Sequence, residues 1–341
     1  MELSTGRPGL DPTQSDIFNS ASADLILRSS DVVDFPVHRS LLAIASGVFE
    51  GMCSLPQPPT SDEKQGLPLV QVGEDSHTLD TLLHLLYPDK YPKDLPMPTL
   101  YSVIKAAEKY DMHGVVTQLR DLLRQPRYLD SHSFEIFALA CQYSLGSDLV
   151  QLAAKATLLH PSPLKRFERL PPEAGGLSAV AYHSLMVYRH KCISILQPML
   201  VHWPHSQIIF AKPVWHTCIC RLKSNAGKYP TLPEWYANHV ERTVAAFSEV
   251  VAASTLRSPS LLAATLYQLP PLTLSTLPTP SAKKKPPSSC DCSAAAPYEL
   301  VKFHVVVADE VERQLNQVRA SICWINPSDT PLDEVQNARM I

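Results

Sequence analysis

The placement of proline constrains the fold of this chain more than any other feature of its sequence. The chain has 31 prolines and only 11 glycines, and a proline inside a helix or a central strand removes a backbone hydrogen bond. Helices and strands are therefore expected between the proline clusters and not across them. These clusters occur at residues 56–59, 88–98, 161–172 and 270–297.

The overall composition indicates a folded protein with two units. The sequence has 341 residues, 45% of them hydrophobic and 18% charged, which allows buried cores in domains of about 150 residues each. The net charge is -3, so the basic excess that favours nucleic acids or membrane surfaces is missing. We find neither a signal-peptide pattern nor an apolar run long enough to span a membrane. We therefore expect a soluble protein of the cytoplasm or nucleus, without a membrane partner.

The N-terminal part of the chain shows patterns of both strands and helices. Apolar residues at helical spacing predict about five helices, and the first two are separated at Ser46-Gly47, where Ser46 suits the N-cap of the second helix. After a flexible leader at 1–21, residues 22–125 are thus predicted to form an α+β domain with a three-stranded sheet. The three predicted strands lie at 23–28, 35–38 and 67–72.

The remainder of the chain shows mainly helical patterns. Apolar residues repeat three and four positions apart and predict a helical region over 126–265. Residues 266–297 are rich in proline and serine and contain three consecutive lysines at 283–285, a composition that favours a flexible insertion. A last helix and a tail are expected over 298–341. The second half is therefore predicted to be mainly α-helical.

An ordered series of short segments in the first half resembles the BTB/POZ domain in order, spacing and residue type. The resemblance covers about residues 22–125, and the loop and turn composition is similar to that of the large fungal set of BTB-domain proteins. The segments are ADLILRS at 23–29, FPVHR at 35–39, LL at 41–42, SGVFEGM at 46–52, LYP at 86–88 and AAEKYDM at 106–112.

The resemblance implies a protein-interaction module. Such domains commonly form homodimers or pair with another BTB protein, and they often recruit a cullin ubiquitin ligase or a transcriptional corepressor. Asp24 and Arg39 match positions that lie in a charged pocket near the dimer interface in BTB dimers, and their opposite charges would allow a buried pair here too. The chain lacks kelch repeats and tandem zinc fingers, so the resemblance does not by itself distinguish an adaptor from a repressor.

The sequence contains no recognisable catalytic motif. It has no nucleophile elbow, phosphate-binding loop, dinucleotide-binding glycine pattern or zinc-protease helix. His38 could act as a base, but neither a nucleophile nor an orienting acid accompanies it, so we expect it to bond to a neighbouring backbone group instead. We predict that the protein is not an enzyme and needs no cofactor for catalysis.

A second pattern in the chain consists of residues that can bind zinc. Thiolates and imidazoles are suitable zinc ligands, but a Cys-x-Cys pair needs a turn to bind one ion with both sulfurs. These residues, which we call the Cys/His cluster, therefore allow two interpretations. They form a structural zinc site that closes the proline-rich insertion, or they are ordinary reduced thiols. The ligands would be His216, Cys218, Cys220, Cys290 and Cys292.

Taken together, the patterns predict a scaffold or adaptor that self-associates through a BTB-like module and recruits a partner through its helical half. A different interpretation is a zinc-stabilised nuclear regulator that contacts nucleic acid through the Cys/His cluster and the lysines at 283–285. The net charge of -3 favours the adaptor.

Overall fold

The chain forms two compact units in a computed structural model, and each unit is described by itself. The first unit comprises residues 1–149 and 172–176, and the second comprises 150–171 and 177–341. The structure describes residues 22–55, 63–64, 66–87, 94–163, 171–201, 232–267 and 292–321.

A small mixed sheet organises the first unit. Strand β1 is central and runs antiparallel to β2 and parallel to β4, and the short strand β3 pairs antiparallel with β4, which gives the order β2-β1-β4-β3. The first three residues of β1 are all buried, as expected for a strand covered on both faces. The strands are β1 Leu25–Arg28, β2 Asp34–Val37, β3 Glu63–Lys64 and β4 Leu67–Gln71.

The α+β fold is confirmed, and the sheet has one strand more than the sequence predicts. The additional strand β3 consists of two exposed charged residues, Glu63 and Lys64. A strand of two exposed residues carries no alternation of apolar and polar side chains, so periodicity cannot detect it. It is held at the edge of the sheet by backbone pairing with Leu67 and Pro68 of β4.

Two aspartates fix the turn between β1 and β2. Arg28 donates two hydrogen bonds to the Asp34 carboxylate, from Nε at 2.6 Å and from Nη2 at 3.0 Å, and these hold the pKa of Asp34 down to about 2. Asp31 accepts hydrogen bonds from the backbone N–H and the hydroxyl of Ser76 at the start of a helix. Side-chain hydrogen bonds, from Ser29 and then from Ser76, lower the pKa of Asp31 to about 2.

The predicted helices of the first unit are confirmed. Their apolar stripes are buried, with Leu79, Leu82 and Leu83 on one helix and Leu100, Val103 and Ile104 on the next. The helices are α1 Arg39–Ala45, α2 Gly47–Ser54, α3 Ser76–Leu86, α4 Met97–Lys109, α5 His113–Leu123 and α6 Pro126–Gln142, and α7 Ser147–Thr157 begins in this unit and ends in the second.

Helix α6 is tied to the rest of the first unit by one tyrosine. The Tyr128 hydroxyl donates to the Leu95 carbonyl at 3.0 Å and accepts the Leu95 N–H at 3.1 Å. Both groups are buried, so this hydroxyl satisfies two backbone groups that would otherwise lack partners. The first compact unit accordingly continues beyond α5.

The second unit is helical, as the periodicity predicts. Its helices are α8 Ala179–Ser194, α9 Leu196–Val201, α10 Glu234–Glu249, α11 Ala253–Leu256, α12 Pro259–Leu266 and α13 Cys292–Ser321. Helices α8 and α9 follow each other almost directly, and Pro198 lies in the first turn of α9, where no intrahelical partner for its missing N–H is needed. Within the part of the chain that the structure describes, no helix combines the length and the apolar character of a membrane span.

Candidate protein-interaction site

The helical hairpin α1–α2 is held in place by Ser46, the residue between its two helices. As predicted, Ser46 caps α2: its hydroxyl oxygen accepts the Phe49 N–H at 3.1 Å. The same hydroxyl donates to the Tyr110 carbonyl at 2.5 Å, and the Phe49 ring stacks on the Tyr110 ring with centroids 5.0 Å apart. The start of α2 is therefore anchored to the end of α4, and the outer face of the hairpin has a fixed orientation.

The close approach of Asp111 explains the glycine at the first position of α2. A Cβ atom at Gly47 would lie 2.7 Å from the Asp111 carboxylate oxygen, and Asp111 itself has a positive φ of 54°. Any larger residue at position 47 would push this carboxylate away. The glycine thus allows the loop after α4 to pack against the N-terminus of α2.

An apolar stripe on the outer face of this hairpin is exposed to solvent. Ile44 at the end of α1 is 85% exposed, Val48 on α2 is 47% exposed, and Leu55 just after α2 is 67% exposed. Gly51 lies one turn after Val48 on α2, and a Cβ atom added to it would meet no atom within 4 Å. We call these four residues the α1–α2 stripe. A group of exposed large apolar side chains is typical of interaction surfaces.

The two charged residues predicted for a dimer interface lie at the start of α1. Asp24 is exposed and its carboxylate accepts the backbone N–H of Arg39 at 2.7 Å. Arg39 is half-buried, and among the contacts of the described residues none joins its guanidinium to the Asp24 carboxylate. The two residues therefore do not form a buried ion pair within one chain, because the Asp24 carboxylate instead satisfies a free N–H in the first turn of α1. Their role in a dimer stays a prediction.

His38 joins the β2–α1 junction to α3 and has no catalytic arrangement around it. Its ring nitrogens lie 3.0 Å from the Tyr87 hydroxyl and 2.9 Å from the Ser22 hydroxyl. Its backbone N–H also donates to Tyr87 at 3.0 Å. The ring therefore bonds to two side-chain hydroxyls. The sequence-based prediction of a backbone partner for this ring is wrong. Tyr87 directly follows α3 and is 49 residues from His38 in the sequence. Local sequence patterns therefore could not identify Tyr87 as the partner of His38.

The predicted zinc ligands stay a prediction. His216, Cys218, Cys220 and Cys290 lie outside the described residues, and so does the side chain of Cys292, whose backbone begins α13. Within the described ranges, no group of three or more His, Cys, Asp or Glu side chains is arranged to hold a metal ion.

The exposure of the α1–α2 stripe is the functional feature that sequence patterns did not reveal. The helix Arg39–Ala45 has apolar residues at 41, 42 and 44, and these positions point in different directions around a helix. The number of apolar positions on this short helix is the signal in the sequence, but the pattern does not tell which side chain is exposed.

Comparison with known families agrees with the fold of the first unit. The family model of the BTB/POZ domain matches residues 16–127, which include the sheet, the helices α1 to α5 and the whole α1–α2 stripe. A search of curated proteins gives no match. BTB/POZ domains are protein-interaction modules, and the resemblance that the short segments indicate is confirmed. Residues 16–127 of this chain are a BTB/POZ domain.

Proposed function

We propose that this protein is an adaptor that forms a homodimer through the α1–α2 stripe and recruits a partner through its helical second unit. The observation that carries the proposal is the exposure of Ile44, Val48 and Leu55 on and just after the α1–α2 hairpin of a domain from a protein-interaction family. A second copy of this chain is the occupant that we assign to this face.

The stripe has the chemistry of the centre of an interface. Complete burial of a Val, Leu or Ile side chain stabilises by about 1.5–3 kcal/mol, and a dimer related by a two-fold axis buries each of these residues twice. Gly51 leaves the α2 backbone accessible, so a facing helix can approach closely. The stripe would provide the apolar core of an interface whose rim is polar.

The charges near the stripe are self-complementary. Asp24 and Arg39 carry opposite charges at the start of α1, and Asp24 is exposed. In a symmetric dimer the same patch of both copies meets, so the aspartate of one copy can approach the arginine of the other. Such rim pairs favour the correct orientation of the two copies more than they contribute to affinity.

Sedimentation velocity of the full chain over a wide dilution series tests the proposal. We expect a species of twice the chain mass of 37.7 kDa at high concentration, converting to the single chain on dilution. A single-chain mass at every concentration would refute self-association. A mass above the dimer would refute a closed two-fold interface.

For the recruited partner we propose another BTB protein, a cullin ubiquitin ligase or a corepressor, in the cytoplasm or nucleus. Among the described residues, Cys53 and Cys141 are free thiols, which is consistent with a reducing compartment. Purified candidates of each class, added separately to the full chain in a binding assay, would distinguish them. Retention of the full chain on DNA at low salt would instead favour the zinc-stabilised regulator.

A further inference from the structure

A chain of hydrogen bonds between buried polar side chains crosses the core of the second unit. His239 on α10 and His304 on α13 are 0% and 1% exposed, and their Nε2 atoms lie 2.7 Å apart. The other ring nitrogen of His239 is 2.6 Å from the Thr265 hydroxyl on α12. The other ring nitrogen of His304 is 2.9 Å from the carbonyl of Leu256, the last residue of α11. Four helices thus meet through two imidazoles.

The groups at the two ends of this series of hydrogen bonds determine which atom donates and which accepts in each of them. The Leu256 carbonyl can only accept, so Nδ1 of His304 carries its proton. A neutral imidazole has one N–H, so Nε2 of His304 accepts the hydrogen bond from Nε2–H of His239. Nδ1 of His239 is then an acceptor for the Thr265 hydroxyl, whose oxygen receives an N–H of Arg242 at 3.0 Å. When both rings are neutral, these hydrogen bonds therefore place them in opposite tautomers.

Addition of a proton breaks this arrangement at either ring. A proton on Nε2 of His304 would face the N–H of His239 across 2.7 Å unless the His239 proton moves to Nδ1. A proton on Nδ1 of His239 would turn the hydroxyl proton of Thr265 towards the Leu261 carbonyl, 3.5 Å away. A charge on either ring therefore replaces a short hydrogen bond by a long one in a buried core, which is unfavourable.

The surroundings of the pair offer no charge that would stabilise an imidazolium. The charged group that acts on His239 is the cation of Arg242, and the sequences of α11 and α12 contain no ionisable side chain. Among the described residues, no carboxylate pairs with either ring. Glu249 on α10 and Glu299 on α13 are half-buried. The other charged groups on the elements packed around the pair are exposed or bonded elsewhere: Glu234 and Glu241 on α10, Arg189, His183, His190 and Lys191 on α8, Arg257 after α11, and Lys302, Asp309, Glu310, Glu312 and Arg313 on α13.

We propose that the His239–His304 pair is a pH sensor that opens the helical unit in mild acid while the BTB/POZ domain stays folded. The proposal concerns the second unit and does not depend on self-association. Its consequence is that acidification removes the partner-binding half of the protein before it affects the other half.

The direction of the effect follows from proton linkage. Burial lowers the pKa of His239 to about 2 and that of His304 to about 4, whereas an unfolded histidine titrates near its ordinary value of 6.5. Below pH 6.5 the unfolded second unit binds two protons that the folded unit excludes. The stability that the neutral pair contributes above pH 6.5 is therefore lost as the pH falls. The unfolding constant should rise by up to about 100-fold per pH unit between about pH 6 and pH 4.

The first unit should respond at lower pH. Its Asp31 and Asp34 have pKa values of about 2 in the folded chain, against an ordinary value of 3.8. The stability that these two carboxylates contribute is fully present above pH 3.8. It is lost as the pH falls from 3.8 towards 2. A pH window therefore exists in which the histidine pair destabilises the second unit and these carboxylates still stabilise the first.

Urea unfolding of the full chain, followed by tryptophan fluorescence at a series of pH values, tests the proposal. Trp235 on α10 lies in the second unit, and the first unit contains no tryptophan, so a change in tryptophan fluorescence does not come from the first unit. We expect the H304Q variant, which removes one of the two ionisable rings, to lose about half of the pH dependence. The matched control His183→Gln, at an exposed histidine of α8, should keep the wild-type dependence. Equal pH dependence in wild type and H304Q would overturn the proposal.

Nitrogen-15 NMR of histidine-labelled wild-type chain provides a measurement that needs no variant. We expect His239 protonated at Nε2 and His304 at Nδ1, with neither ring titrating in the folded chain at or above about pH 5. The same tautomer in both rings, or titration of either ring near its ordinary value in the folded chain, would overturn the sensor even if H304Q fails to fold.

Discussion

Replacement of Arg189 by methionine is expected to lower the free energy of unfolding of the second unit by about 3 kcal/mol. Arg189 on α8 is only 5% exposed. Its guanidinium donates to the Thr157 carbonyl at 3.0 Å, and to the Ser248 and Glu249 carbonyls, both at 2.8 Å. These carbonyls belong to the C-terminal ends of α7 and α10, where the last carbonyls of a helix lack intrahelical partners.

The size of the expected loss follows from what methionine cannot replace. Methionine fills the space of the arginine stem but has no donor, so up to three carbonyls lose a charged partner at once. The positive charge near two helix C-termini is lost as well, and it is favourable there because it opposes the negative end of each helix dipole. A lysine at this position should give a smaller loss, because one ammonium keeps the charge but cannot span both helix ends.

Urea unfolding followed by tryptophan fluorescence measures this loss in the full chain. The matched control is Arg257→Met, at an arginine that is partly exposed and pairs with Asp309 and Glu312 on the surface of the same unit. Surface ion pairs contribute little, so the control should lose less than about 1 kcal/mol. Equal losses for Arg189→Met and Arg257→Met would show that the buried guanidinium does not hold the two helix ends together.

Replacement of Ile44 by aspartate is expected to raise the dissociation constant of the homodimer by at least about 100-fold. Ile44 is 85% exposed in the single chain, so its removal should change the free energy of unfolding by no more than about 0.5 kcal/mol. In a two-fold dimer each interface contains two copies of the residue, and each substitution places a carboxylate in an apolar contact.

Sedimentation over the same dilution series measures the change, with circular dichroism melting as the check on folding. The matched control is Val180→Asp, which introduces the same charge at a valine of α8 that is 74% exposed. The control should dissociate like the wild-type chain. An unchanged dimer in Ile44→Asp would exclude the α1–α2 stripe from the interface, whereas equal weakening in both variants would indicate a non-specific effect of charge.

Local chemistry was sufficient to predict the elements of the BTB/POZ domain other than the short strand β3. The apolar run after Asp24 indicates a strand, and Ser46 before a glycine indicates a helix break with a cap, because each of these signals acts within a few residues. The helix stripes were predictable for the same reason, since Leu100, Val103 and Ile104 lie on one face whatever they pack against. Periodicity also gave the helical character of the second unit.

Features that depend on tertiary packing could not be predicted in the same way. Leu42 and Ile44 lie on the same short helix and are similarly apolar, yet Leu42 is buried and Ile44 is exposed, because tertiary packing decides which face of a helix is covered. His239 and His304 are 65 residues apart, and no local pattern joins them. Their one signal is that His304 falls on the apolar stripe of α13 with Leu300 and Val307, where a polar residue needs a buried partner.

Hydrogen–deuterium exchange of the wild-type full chain, compared at low and high protein concentration, tests self-association through the α1–α2 stripe most directly. Peptides that cover Arg39–Ser54 should exchange more slowly at high concentration, because the second copy covers this face and suppresses its local opening. Peptides from α4 and α13 should exchange at the same rate at both concentrations. Concentration-independent exchange of Arg39–Ser54, or slowing confined to the helices of the second unit, would contradict an adaptor that dimerises through its BTB/POZ domain.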